Sequence, residues 1–150
     1  MSEVVIKAAD QSATQLADLR AQRAALAEAR RIREEQRAAA EQLIEEKRGL
    51  ADDQALEAAE IEHGAKKIAV VRTDMGAIIL KRPHPVIFKR FQDKGSLKHE
   101  DLEKLVRPSL VYPDAARFNE IMDELPATLL RCANTVSGLA GVRMEEVAEK

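Results

Sequence analysis

The stretch SATQLADLRAQRAALAEARRIREEQRAAAEQLIEEKRGLADDQALEAAEIE, residues 12–62, contains no proline and no aromatic residue, and its one glycine is Gly49. It is built mainly from Ala, Arg, Glu, Gln and Leu. These are the strongest helix formers because each loses little side-chain freedom on entering a helix. The stretch therefore predicts a long charged helix over residues 13–63, preceded by a flexible tail over residues 1–12. A break is expected near Gly49. That glycine follows Lys47 and Arg48, cations suited to a helix C-terminus. It precedes Asp52 and Asp53, which suit an N-terminus.

From Ala13 to Arg48 such a helix would be about 54 Å long. A heptad frame can be laid on it: Leu19, Gln22, Leu26, Ala29, Arg33, Gln36, Ala40, Leu43, Lys47 and Leu50 alternate in steps of three and four. Six of those ten positions are apolar, and Gln22, Arg33, Gln36 and Lys47 interrupt the seam. Charges of both signs cover the other faces, with Glu28–Arg31, Glu34–Arg37 and Glu45–Arg48 at pairing distance along a helix. Two readings compete. One is a solvated single helix. The other is a surface for self-association or for docking on a larger partner, with Leu19, Leu26, Leu43 and Leu50 as its contact residues. Length favours the second, because most helical stability in proteins comes from packing.

Composition changes after residue 63. All four aromatic residues (Phe88, Phe91, Tyr112, Phe118) and all five prolines lie in the second half of the chain. A compact core must therefore come from residues 64–142, a module small enough to depend on outside support. KKIAVVRT and AIILKR flank Asp74-Met75-Gly76 and read as a β-hairpin. Pro85 is placed to open a helix, PVIFKRFQDK, that Gly95 stops, with Ile87, Phe88 and Phe91 inward. Further helices are expected over about 99–107, over about 114–124 with Asp114 as N-cap, and from Pro126 onward. In the last of these Leu129, Leu130, Ala133, Val136 and Leu139 should face inward. Residues 143–150 form a charged tail. The fold class is mostly α: a long N-terminal helix followed by a small α+β module of one hairpin and about four short helices.

Charge is uneven. Residues 1–63 carry 9 Lys/Arg against 14 Asp/Glu, whereas residues 66–107 carry 11 against 5. Lys81, Arg82, Lys89, Arg90 and Lys94 form a candidate basic docking face. Basic side chains interleaved with Phe88 and Phe91 would suit nucleic acid. On a helix, however, the phenylalanines fall away from Lys89 and Arg90, and the pI near 6.0 is unlike that of a dedicated nucleic-acid binder. An acidic protein surface is the better match.

No catalytic or metal constellation stands out. His63, His84 and His99 are scattered, no glycine-rich phosphate loop is present, and Glu100, Asp101 and Glu103 sit where they compensate a helix dipole. Thr135 and Ser137 lack a partnered histidine. The single cysteine, Cys132, lies in an apolar run and reads as a buried hydrophobe, which also suggests a reducing compartment. The expectation is no enzyme activity, no cofactor and no metal. The start of the chain lacks a basic segment followed by an apolar run, and no stretch approaches the length needed to span a bilayer. A cytosolic protein without a membrane partner is therefore expected.

RTDMGAIILKRPHPVIFKRF (residues 72–91) and EDLEKLVRPSLVYPDAARFNEIMDELPATLLRCANTVSGLAG (residues 100–141) resemble the tail assembly chaperones of long-tailed bacteriophages and small proteins encoded beside phage tail genes. The resemblance covers about half the chain and leaves out the long helix. It implies a non-enzymatic chaperone or adaptor in the host cytoplasm that binds a tape-measure-like helical protein or tail-tube subunits; the long helix separately leaves a homo-oligomer as an option. The helix outside the resemblance keeps open a structural component retained in the virion. A nucleic-acid-binding accessory role comes last.

Overall fold

The computed structural model describes residues 3–141. Helix α1 runs from Glu3 to His63. Strands β1 (Ile68–Thr73) and β2 (Gly76–Lys81) follow, then α2 (Pro85–Lys94) and α3 (His99–Val106). Strand β3 (Leu110–Tyr112), α4 (Ala115–Glu124) and α5 (Thr128–Leu139) complete the order. The expected fold class is the one observed, a long N-terminal helix and a small α+β module. The sheet has three strands rather than two.

Two expectations about α1 are corrected. Residues 3–12 are helical, not a flexible tail, because nothing in EVVIKAADQS stops a helix already nucleated downstream. Each added residue there gains a backbone bond at low cost. Nor does Gly49 break the helix. A glycine inside a helix costs about 1 kcal/mol relative to alanine, and local anchoring on either side of it exceeds that. Arg48 Nη2 donates to the Asp74 carbonyl at 3.3 Å, and Asp52 is tied to the sheet. The charged tail expected over 143–150 lies outside the described residues, as do Met1 and Ser2.

The chain divides into two compact units, one ending at residue 47 and one beginning at residue 48. The module therefore starts about 16 residues before the expected boundary at Gly64. The reason is packing. The sheet is antiparallel in the order β1-β2-β3, with Ile68 opposite Lys81 and Thr73 opposite Gly76. Because side chains alternate across a strand, Val71, Ile78 and Leu80 share one face. That face packs on Phe88, Phe91, Leu105, Phe118, Cys132 and Val136 from the later helices. Ile68, Val70 and Ile79 point the other way and are covered by Ala55, Leu56 and Ala59 of α1, together with Val111 and Tyr112. Ala77, Ile78, Ile79 and Leu80 are all buried, which is why β2 reads as a continuous apolar run rather than an alternating one. The hairpin thus packs on α1 as well as on the helices that follow it.

Local signals set the remaining boundaries. Asp74 and Met75 form a two-residue turn closed by Thr73, whose Oγ1 donates to the Gly76 carbonyl at 2.7 Å and accepts from Met75 N–H at 3.1 Å. Gly76 has φ 127°, a region that side chains disfavour, and a Cβ there would come within 3.4 Å of Arg48 Cδ. Pro85 opens α2, and Gly95 closes it in the left-handed conformation, as expected. The Asp114 side chain caps α4 by accepting from Arg117 N–H at 2.8 Å. Strand β3 was not anticipated. It has only three residues, pairs with β2 through an irregular register and is followed by a cis Tyr112–Pro113 bond. In α5 Leu129, Ala133 and Val136 are buried as expected and Leu139 is half-buried. Leu130 is exposed, because it lies about 100° around the helix from the buried Leu129.

Candidate interaction surface

Every residue from Glu3 to Lys47 is exposed. Leu19, Leu26, Leu43 and Leu50 are between 54% and 60% exposed, so the expected seam is open to solvent along its whole length. Leu16, Ile32 and Ile44 are exposed as well. At about 100° per residue, Leu19 and Leu26 fall on one row, and Ile32, Leu43 and Leu50 on a second about 120° away. The apolar surface is therefore broad rather than a single line, with alanines between the rows. Arg31 holds the acidic flank together. It bonds Glu28 one turn back, and its Nη1 donates to Glu35 Oε1 at 2.7 Å one turn ahead. These exposed pairs add little stability, so the helix keeps its apolar side chains in water without a compensating contact.

The basic cluster of the module divides in two. Lys94 is consumed internally. Its Nζ donates to Asp101 Oδ1 at 2.5 Å, joining the end of α2 to the start of α3. That hydrogen bond, followed by one from the Ser96 hydroxyl, holds the Asp101 carboxyl below its usual range, and the same contact raises the Lys94 ammonium. Arg82 Nε donates to the Leu139 carbonyl at 3.1 Å. Lys89 and Arg90 are exposed on α2 and Lys81 is half-buried at the end of β2. Phe88 and Phe91 are buried, their rings tilted at a centroid distance of 6.4 Å, and so offer no stacking platform beside the cations. Between α2 and α3 a cleft of about 440 Å³ has Ile87, Phe91 and Leu105 on its floor and Arg90, Lys94 and Lys104 at its rim.

The groups that could have carried chemistry have structural partners. His84 Nδ1 accepts from Val86 N–H at 3.2 Å and caps α2. Cys132 is fully buried, and burial pushes its thiol up to about 12, with Arg131 opposing only in part. At neutral pH its burial favours the protonated thiol. Among the described residues no group of three or more His, Cys, Asp or Glu could hold a metal ion. No helix among them is long and apolar enough to cross a membrane.

One residue that the sequence does not single out proves central. Asp52 is buried on the inner side of α1. Its Oδ2 accepts from Ala77 N–H at 2.9 Å, and its Oδ1 accepts from the Tyr112 hydroxyl at 2.7 Å. A single carboxylate thus ties α1 to the start of β2 and to β3. Burial raises the Tyr112 phenol above its ordinary value, and the Asp52 hydrogen bond and charge add to the shift. A raised folded-state pKa means stability that is complete below the ordinary phenol pKa, about 10, and is lost as pH rises from there through the raised folded-state value. Replacing Asp52 with Ala should destabilise the module by about 1–3 kcal/mol, since it leaves a buried amide and a half-buried hydroxyl unpaired. Asp52→Asn should move the phenol titration downward. Tyr112 is the only tyrosine and the chain has no tryptophan, so alkaline difference absorbance reads this group alone. An unchanged titration in Asp52→Asn would contradict the assignment.

No protein-family model, no curated protein and no solved structure matches this chain.

Proposed function

We propose that this protein is a non-enzymatic assembly chaperone or adaptor, of the kind used in bacteriophage tail assembly, whose N-terminal helix binds a helical protein. The observation that carries this reading is the exposed apolar surface of residues 3–47. Leucines and isoleucines recur from Ile6 to Ile44, over about 57 Å of helix, and all are exposed among the described residues. Burying such side chains contributes about 1.5–3 kcal/mol each, so another helix laid along them gains strongly. Helix-on-helix recognition through spaced apolar anchors is a general mode of protein binding.

The resemblance of residues 72–91 and 100–141 to tail assembly chaperones supplies the class of partner, a tape-measure-like protein or tail-tube subunits met in the host cytoplasm. Co-expression with a tape-measure-like protein should yield a complex that survives purification. Failure of every tail protein of the same particle to co-purify would count against the reading. A second reading, a structural component of the virion or tail, is favoured by the long helix lying outside that resemblance. Mass spectrometry of purified particles separates the two, since a chaperone is absent and a component is present at fixed stoichiometry. Nucleic-acid binding is disfavoured by the burial of Phe88 and Phe91 and by the internal pairing of Lys94.

A further inference from the structure

We infer that residues 22–50 of α1 pair with the same residues of a second copy of this chain, parallel and in register. The inference rests on the reading of α1 as a binding surface and names the occupant of one of its faces. Counting in sevens from Gln22 places Gln22, Ala29, Gln36, Leu43 and Leu50 at one inner position of a coiled coil. Ala25, Ile32, Ala39 and Glu46 take the other. Ile32, Leu43 and Leu50 belong to one exposed row, and the alanines between them let two helices approach closely. This frame keeps Leu43 and Leu50 inside and moves Leu26 to the flank.

The flanking charges decide the occupant and its direction. The positions just before the first inner set are Glu28, Glu35 and Gln42, acidic or neutral. The positions just after the second are Leu26, Arg33, Ala40 and Lys47, basic or neutral. In a parallel pair the first kind faces the second kind of the partner, five residues on. Glu28 then meets the partner's Arg33, and Gln42 the partner's Lys47, each twice by symmetry. An antiparallel pair faces the acidic or neutral positions with one another and the basic or neutral positions with one another, so Glu28 meets no Arg33 and charges that do meet are alike. Arg31, already bonded to both Glu28 and Glu35, holds the acidic flank beside the seam. Gln22, Gln36 and Glu46 each face their own copy across the seam, and the Glu46 pair opposes the association. A polar side chain at an inner position satisfies its hydrogen bonds only in register, so it fixes alignment while weakening the pair.

The test uses the full-length chain with one added cysteine, either Gln22→Cys or Ala29→Cys, under mild oxidation. Native Cys132 is fully buried and does not compete. Both variants should give disulfide-linked dimers with themselves. An antiparallel pair can link at most one of the two to itself, so self-linking at only one position, or at neither, overturns the inference. Without added cysteines, sedimentation should give twice the chain mass. Arg33→Glu should weaken the dimer by about tenfold, and Glu28→Arg added to it should restore the affinity. A monomer at every concentration overturns the pairing. If that monomer still captures a tape-measure-like helical protein, the adaptor reading stands. If it captures none, that reading fails with it.

Discussion

A chain that begins at Gly64 should fail to fold cooperatively, whereas one that begins at Glu41 should unfold at nearly the same denaturant concentration as the whole protein. The sheet is covered on both faces, and the cover over Ile68, Val70 and Ile79 comes from Ala55, Leu56 and Ala59 of α1 together with Val111 and Tyr112. Removing residues before Gly64 exposes those side chains. At about 1.5–3 kcal/mol for each large apolar side chain fully returned to water, Ile68 and Ile79, which keep Val111 and Tyr112 beside them, lose up to about 3–6 kcal/mol together. The Ala77 amide and the Tyr112 hydroxyl lose Asp52 at the same time. A domain of this size holds only about 5–15 kcal/mol in total, so little or nothing remains. Starting at Glu41 keeps Arg48, Asp52 and the whole packed segment. Circular dichroism and denaturant titration of the two fragments decide the matter. A Gly64 fragment with a sharp, native-like transition would show that the end of α1 is dispensable and that the module boundary is misplaced.

Replacing Leu26 and Leu43 with Asp in the full-length protein should abolish helix-mediated association and leave the module intact. Both leucines lie within the fully exposed segment, so neither contributes to the core around β2. In an associated state each would be partly or wholly desolvated. Exchange removes its apolar gain and adds a carboxylate that resists burial. Summed over both sites, affinity should fall by at least about a thousandfold. The unfolding transition of the module, read by the absorbance of Tyr112, should move by little. Association that survives the double change would place the contact elsewhere. A shifted unfolding transition would mean that these leucines pack within the fold.

Elements that depend on neighbouring residues were legible in the sequence. Pro85 and Gly95 bound α2, Asp114 caps α4, and the Asp74-Met75-Gly76 turn sits between two β-branched runs, all through interactions spanning a few residues. What depended on distant partners was not. Asp52 and Asp53 look alike in sequence, yet only Asp52 faces the sheet and bonds Tyr112, sixty residues away. Gly49 carried a local stop signal that anchoring at Arg48 and Asp52 overrode. Leu110–Tyr112 is too short for its alternation to register, and only β2 makes it a strand. The candidate surface was legible in part. The exposed leucines followed from the helical pattern and the lack of a local core. The loss of Lys94 from the basic face depended on Asp101, which belongs to the next helix.

Sedimentation equilibrium of the full-length protein beside a chain beginning at Glu41, over a range of concentrations, tests the central claim most directly. If the exposed helix upstream of residue 48 pairs with its own copy, the full-length protein sediments as a dimer and the shorter chain as a folded monomer. The same association state for both would contradict it.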